Sequence, residues 1–114
     1  MTCRKEIHFS CQCSIEDIYH LCESVDRIDI FRIVLVEKEN NRITLIHKAD
    51  FTSNGEKIFL HLKPNEDKST EIHAISQSFT PFRMFDWGRN ATNLLILESY
   101  FSKFSKSMGK IISE

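Results

Sequence analysis

The sequence predicts an α+β domain in which a single antiparallel sheet carries two helices on one face, in the order β-α-β-β-β-β-α. Three observations support this class. Hydrophobic and polar residues alternate in five short segments, turn-forming residues separate the last four of these segments, and a long amphipathic helical pattern follows them. A chain of 114 residues, 41% of them hydrophobic, suffices for one core, so we expect a single domain over residues 1–114.

The first strand is predicted by alternation with a period of two, which places one set of side chains on a buried face. That set is Ile7, Phe9, Cys11 and Cys13. Ser14 is suited to cap a following helix, because its hydroxyl can accept a hydrogen bond from a free amide group of the first turn. Apolar residues then recur at helical spacing, so we predict a helix over residues 15–25.

Four further strands follow. Their predicted buried positions are Phe31, Ile33 and Leu35, then Ile43, Leu45 and Phe51, then Ile58, Leu60 and Leu62, and finally Ile72 and Ala74. Polar or glycine-containing turns at 37–41, 53–56 and 63–67 separate them. The fifth strand covers about 70–79, and its apolar side weakens toward Ser76 and Ser78.

The last predicted element is a helix over about residues 87–108. Pro81 marks a loop before it, and Asp86 can cap it. Its apolar stripe consists of Leu94, Leu97, Phe101, Phe104 and Met108. Gly109 is positioned to end it.

This element order resembles the TATA-binding-protein-like arrangement and, with extra strands, the helix-grip lipid-binding folds. The resemblance implies that the first and last strands pair and that both helices pack on the apolar face of the sheet. Such folds host unrelated functions, so the resemblance implies no activity.

A second resemblance lies near the C-terminal end of the chain. Ser76-Gln77-Ser78, followed by Asp86-Trp87-Gly88-Arg89-Asn90, is similar to the S-x-S-R and D-x-G-x-N signature of an uncharacterised bacterial and plastid family, the domain of unknown function catalogued as fourteen ninety-nine. Phe79 and Asn93 stand where that family has arginines, and the intervening loop is about two residues longer. The family has no agreed activity, so the resemblance supplies no mechanism.

The D-x-G-x-N segment has two physical interpretations. In the first it is structural: Asp86 caps the helix, Gly88 allows a close backbone approach, and Asn90 bonds the preceding loop. In the second, Arg83, Arg89 and the helix N-terminus form an anion pocket, since guanidinium groups and free amides both bind carboxylate or phosphate.

Charge and composition exclude several classes of function. The formal net charge is −1, so no net positive field attracts nucleic acid. Neither a signal peptide nor a membrane-spanning apolar run is evident, and we expect a cytoplasmic protein. In that compartment the four cysteines, Cys3, Cys11, Cys13 and Cys22, are expected to be reduced thiols, the last three of them in the core rather than in a zinc site.

Our leading functional hypothesis is a non-enzymatic binding or interaction module whose aromatic-rich loop at 79–87 binds a small apolar or anionic ligand or another protein chain. The candidate ligand-binding residues are Phe79, Phe82, Arg83, Phe85, Asp86, Trp87, Arg89 and Asn90. No catalytic motif or phosphate-binding glycine loop is present in the sequence, and we expect no cofactor of that kind.

The alternative hypothesis is a metal-dependent, hydrolase-like site on the open face of the sheet. His8, His61 and His73 fall on the predicted polar face, and three imidazoles can hold zinc with one position left for water. The same first strand has no proline or inward charge that would block pairing with another chain, so a homodimer through this strand is a further expectation.

Overall fold

The chain forms one antiparallel sheet and two helices. A computed structural model describes residues 2–48, 55–79 and 88–112. Its elements are β1 (Thr2–Cys11), α1 (Ile15–Ser24), β2 (Arg27–Ile28), β3 (Phe31–Glu37), a 3-10 turn (Lys38–Asn40), β4 (Arg42–His47), β5 (Glu56–Pro64), β6 (Thr70–Phe79) and α2 (Arg89–Ile112). The predicted α+β class is confirmed, and the two-residue strand β2 is an addition to the predicted order.

The six strands lie in the order β1-β6-β5-β4-β3-β2. Strands β2 to β6 are joined to their neighbours in sequence, whereas β1 crosses over to pair with β6 along its whole length, from Thr2 opposite Phe79 to Cys11 opposite Thr70. The predicted pairing of the first and last strands is therefore confirmed. Strands β1 and β2 are the two edges of the sheet.

The core lies between one face of the sheet and the two helices. Alternate residues of β4, β5 and β6 point into it, as the period of two predicts. The fully buried hydrophobic side chains are Cys11, Ile18, Ile28, Phe31, Ile43, Leu45, Ile58, Leu60, Ile72, Ala74, Leu97 and Phe101. Each large side chain among them contributes roughly 1.5–3 kcal/mol of transfer free energy, so α2 is held to the sheet chiefly through Leu97 and Phe101.

Helix α1 begins where the sequence predicted. The Ser14 hydroxyl accepts a hydrogen bond from the Asp17 amide at 3.1 Å, and the Asp17 carboxylate accepts one from the Ser14 amide at 3.2 Å. This reciprocal capping box satisfies two amide groups that a helix start leaves unpaired. The helix ends at Ser24, because Val25 has an extended backbone.

Two features differ from the predictions: the face that Leu35 occupies and the end of helix α2. Leu35 was expected on the core face but is 50% exposed, because the β3–β4 register shifts between Ile33 and Leu35 and a one-residue shift reverses the face. Helix α2 continues through Gly109 to Ile112, since a glycine within a helix costs only about 1 kcal/mol. Phe51, predicted in β4, lies outside the described residues.

The expected state of the cysteines is also corrected. Cys11 and Cys13 form a disulfide, because the chain bends as β1 ends and brings their Cα atoms to 5.4 Å, a typical distance for a disulfide. Cys22 is a free, buried thiol. Burial, and to a smaller extent the charge of Glu23, raises the pKa of Cys22 to about 11.

Candidate functional site

Five polar side chains meet beneath the first turns of α2, inside the protein. We call them the polar cluster: Glu56, Ser76, Ser78, Asn90 and Asn93. Glu56 begins β5 and lies opposite Ser78 of β6, while Asn90 and Asn93 are three residues apart and so share one face of α2. None of the five is more than 4% exposed.

Hydrogen bonds connect all five members. The Ser76 hydroxyl donates to Asn90 Oδ1 at 2.7 Å, and Asn90 Nδ2 donates to Ser78 Oγ at 3.1 Å. Asn93 Nδ2 donates to Glu56 Oε1 at 2.8 Å and to Ser76 Oγ at 3.1 Å. The cluster therefore ties the start of α2 to the adjacent ends of β5 and β6.

One atom of the cluster is left without a hydrogen bond. Asn93 Oδ1 is buried and, within the part of the chain that the structure describes, has no hydrogen-bond partner. The orientation of this amide is fixed, because the Glu56 carboxylate only accepts hydrogen bonds and must face Nδ2. A buried acceptor left unpaired costs about 1–3 kcal/mol, so the cluster presents an acceptor suited to an additional N–H or O–H donor.

Basic groups flank the buried carboxylate. The Glu56 side chain is 0% exposed, and its Oε1 lies 2.9 Å from His47 Nδ1 and 3.9 Å from Arg89 Nε. The His47 contact follows from the register, which pairs His47 of β4 with Glu56 of β5. Arg89, which was predicted to contribute to an anion pocket, thus faces a carboxylate of its own chain.

The structure describes only part of the predicted ligand-binding set. Asn90 belongs to the polar cluster and Arg89 borders it. Within the described residues Asn90 bonds two serines of β6, and the predicted bond from Asn90 to the preceding loop falls on residues outside those described. Five of the remaining candidates lie outside the described residues: Phe82, Arg83, Phe85, Asp86 and Trp87. The backbone of Phe79 is described as the end of β6, but its side chain is not.

Sequence reasoning missed Glu56 and Asn93. The signal that could have found them is polar residues at core positions on facing elements. Glu56 precedes Ile58 by two residues on the inward face of β5, and Asn93 precedes Leu97 by four on the inward face of α2.

The three predicted histidines lie side by side on the opposite, open face of the sheet. His73 of β6 is directly opposite His8 of β1 and His61 of β5. The His8 and His73 rings are stacked with centroids 4.0 Å apart, and the His61 and His73 centroids are 5.9 Å apart. Glu6, which was not predicted, joins this row, with Oε1 3.3 Å from His73 Nε2.

The surroundings act on two groups of this row. A hydrogen bond from Arg4, and a second one from His73, lower the pKa of the Glu6 carboxyl. Partial burial, with smaller contributions from His73 and Arg42, lowers the pKa of His61. Both effects favour the unprotonated form, so Glu6 is a carboxylate and His61 a neutral imidazole near neutral pH.

Comparisons with known proteins identify the fold. No protein-family model and no curated protein matches the sequence. Among solved structures, a point mutant of norcoclaurine synthase from Thalictrum flavum, in complex with a transition-state analogue, matches with a TM-score of 0.61 and 11% identity over 96% of this chain and 97% of that one. CalU16 from Micromonospora echinospora matches with a TM-score of 0.54 and 13% identity over 97% of this chain and 95% of that one.

The likeness is therefore one of fold. The chain has a curled antiparallel sheet that holds a long helix, the helix-grip or Bet v1-like fold. The element order resembles both the TATA-binding-protein-like and the helix-grip arrangement, and the structural neighbours share the helix-grip arrangement. The similarity to domain family fourteen ninety-nine stays a prediction. Among the described helices, none combines the length and the apolar character needed to cross a membrane.

Proposed function

We propose that the protein is a small-molecule-binding module whose ligand places an N–H or O–H donor against the polar cluster. The observation that carries the proposal is the buried Asn93 Oδ1, an acceptor that has no partner in the described residues. A ligand donor that bonds Asn93 Oδ1 removes the cost of the unpaired buried acceptor, about 1–3 kcal/mol, and this favours the bound state.

The charges of the cluster favour a neutral donor group. Glu56 already has His47 and Arg89 as neighbours, so a fixed ligand charge of either sign would unbalance a buried set of charges. Hydroxyl, phenol and amide groups meet this requirement. Ile58 and Leu97 lie next along the same inward faces, so the polar cluster borders the apolar core, in keeping with the expected apolar ligand.

The fold supports the proposal by precedent. Norcoclaurine synthase, which has the same fold, was solved with a transition-state analogue, and so a small molecule is held on that scaffold. The sequence identity is 11%, and the ligand of that protein is not carried over to this chain. What this precedent supports is the capacity of the scaffold to hold a ligand.

The experiment is a ligand-observed NMR screen that pairs small phenols and amides with their O- or N-methylated counterparts. The test variant is Asn93→Leu, which removes the acceptor at similar side-chain volume. The matched control is Thr92→Leu, which introduces the same side chain at the exposed neighbouring position. Native mass spectrometry of each purified protein reports any ligand retained from the expression host.

We expect donor-bearing compounds to bind the wild type and Thr92→Leu, and to bind Asn93→Leu roughly tenfold more weakly, the equivalent of one buried hydrogen bond. Methylated counterparts should bind all three proteins equally weakly. The proposal is wrong if no donor-bearing compound binds, or if Asn93→Leu binds them as tightly as the control does.

A further inference from the structure

We infer that Glu6, His8 and His73 form a binding site for one zinc ion on the open face of the sheet. Among the described residues, these three side chains bring their ligand atoms within 4.8 Å of one another. The site lies on the face opposite the polar cluster and is independent of the proposed ligand site. The inferred ligands differ from the predicted set of His8, His61 and His73, because Glu6 takes the place of His61.

The sheet register brings the three ligands together. His8 and His73 are directly opposite each other on adjacent strands, where Cβ atoms are typically about 4.5–5.5 Å apart. Glu6 precedes His8 by two residues and so points to the same face. Its Oε1 lies 3.3 Å from His73 Nε2, about the separation of two ligand atoms in a tetrahedron with bonds of about 2.0 Å.

One ring must turn to complete the site. The His8 and His73 rings are nearly parallel, with an angle of 12° between their planes, so their lone pairs point side by side and not at a common centre. His8 is exposed, and rotation of an exposed side chain is fast and inexpensive. Zinc binding therefore replaces the stacked arrangement by one in which His8 tilts toward His73.

The neighbours of Glu6 suit this role. Arg4 Nη2 binds Glu6 Oε2 at 2.9 Å, which orients the carboxylate and leaves Oε1 toward His73, an arrangement typical of outer groups that position a metal ligand. Two imidazole nitrogens and one carboxylate oxygen are donors that zinc accepts readily. Three protein ligands leave a fourth coordination position for water on an exposed face. Such a bound water is a precondition of the hydrolase-like hypothesis.

The test is a zinc titration of the 114-residue chain with a competing chromophoric chelator. We expect one ion per chain in the wild type. Glu6→Gln, His8→Asn and His73→Asn should each weaken zinc binding by at least ~10-fold, because even outer-shell substitutions cost about 10–100-fold in metal affinity. His61→Asn is the matched control, since it removes a histidine of the same row that is not one of the three ligands, and it should leave the zinc affinity nearly unchanged.

A second measurement locates the ion directly. In ¹⁵N-labelled protein, zinc should shift the imidazole nitrogen resonances of His8 and His73 and leave those of His61, His20 and His47 unchanged. Far-UV circular dichroism establishes that each variant is folded, as expected for substitutions on the solvent-facing side of the sheet. The inference is overturned by absence of zinc uptake at micromolar concentrations, by shifts at other histidines only, or by an equal loss of affinity in His61→Asn.

Discussion

Replacement of Asn90 by alanine tests whether the polar cluster holds α2 on the sheet. Asn90 is fully buried, and within the described residues its side chain accepts a hydrogen bond from Ser76 and donates one to Ser78. Alanine keeps the helix propensity high, so helix formation itself is not weakened. The substitution therefore reports on the buried hydrogen bonds and their packing.

The expected loss follows from these contacts. Each of the two hydrogen bonds contributes about 1 kcal/mol net, and a buried hydroxyl left without its partner adds about 1–3 kcal/mol. Ser76 loses the acceptor for its proton but still accepts from Asn93, so the penalty falls on one side of that hydroxyl. We expect the free energy of unfolding to fall by about 3 kcal/mol, a large part of the stability of a small domain.

The assay is equilibrium unfolding in urea followed by far-UV circular dichroism, with the m value checked for each variant. Asn40→Ala is the matched control, because Asn40 is exposed and donates only to Glu37 on the surface. Its effect should stay within about 0.5 kcal/mol. Ser78→Ala should cost about 1 kcal/mol, and in combination with Asn90→Ala should cost less than the sum.

The reasoning fails if Asn90→Ala destabilises the protein no more than Asn40→Ala does. It also fails if the effects of Asn90→Ala and Ser78→Ala are additive, because two residues that share a buried hydrogen bond must show a coupling energy, typically 0.5–3 kcal/mol.

Three further predictions concern other parts of the molecule. Ser14→Ala removes the reciprocal cap with Asp17 and should lower the free energy of unfolding by about 1 kcal/mol, measured by urea unfolding; no change would mean that α1 does not depend on its cap. The raised pKa of about 11 keeps Cys22 protonated at pH 8. Its alkylation by iodoacetamide in the native protein should therefore be at least ~100-fold slower than that of a free thiol, and should accelerate as the pH rises toward 11. Mass spectrometry of quenched samples measures the rate, and a rapid reaction at pH 8 would contradict the prediction. Among the described strands, the ten-residue strand β1 is an edge whose outer side has no strand partner, so sedimentation should detect a dimer at micromolar concentration; a monomer at every concentration would exclude pairing through this edge.

The fold could be predicted from the sequence to a large extent because its strands are half buried. The alternation of Ile7 and Phe9 with polar residues, and of Ile58, Leu60 and Leu62 later in the chain, fixes which face of each strand is inward. The same regularity predicts that His8, His61 and His73 share one face of the sheet. What pattern alone could not supply is the break in that regularity near Leu35, where the register shifts.

The polar cluster was harder to predict, since a buried polar residue looks like a surface residue in a single sequence. The loss of apolar character at Ser76 and Ser78 predicted a strand end that is only half buried, yet both serines are fully enclosed. Their burial is stable only because Asn90 and Asn93 approach from α2. Hydrogen bonds between segments distant in sequence cannot be read from the pattern of either segment. The Cys11–Cys13 disulfide is equally hidden from the pattern, because it requires the bend after β1.

The long-range pairing of β1 has a consequence for how the protein is made. The first strand has no partner until β6 has been synthesised, since Thr2 pairs with Phe79. The end of β1 also contacts α2, which is synthesised later still: the Ser105 hydroxyl accepts a hydrogen bond from the Gln12 amide at 2.9 Å. A nascent chain on the ribosome therefore carries Ile7 and Phe9 unshielded while most of the sheet emerges. Closure of so large a loop slows folding, so this first strand is where we expect a chaperone to engage the growing chain.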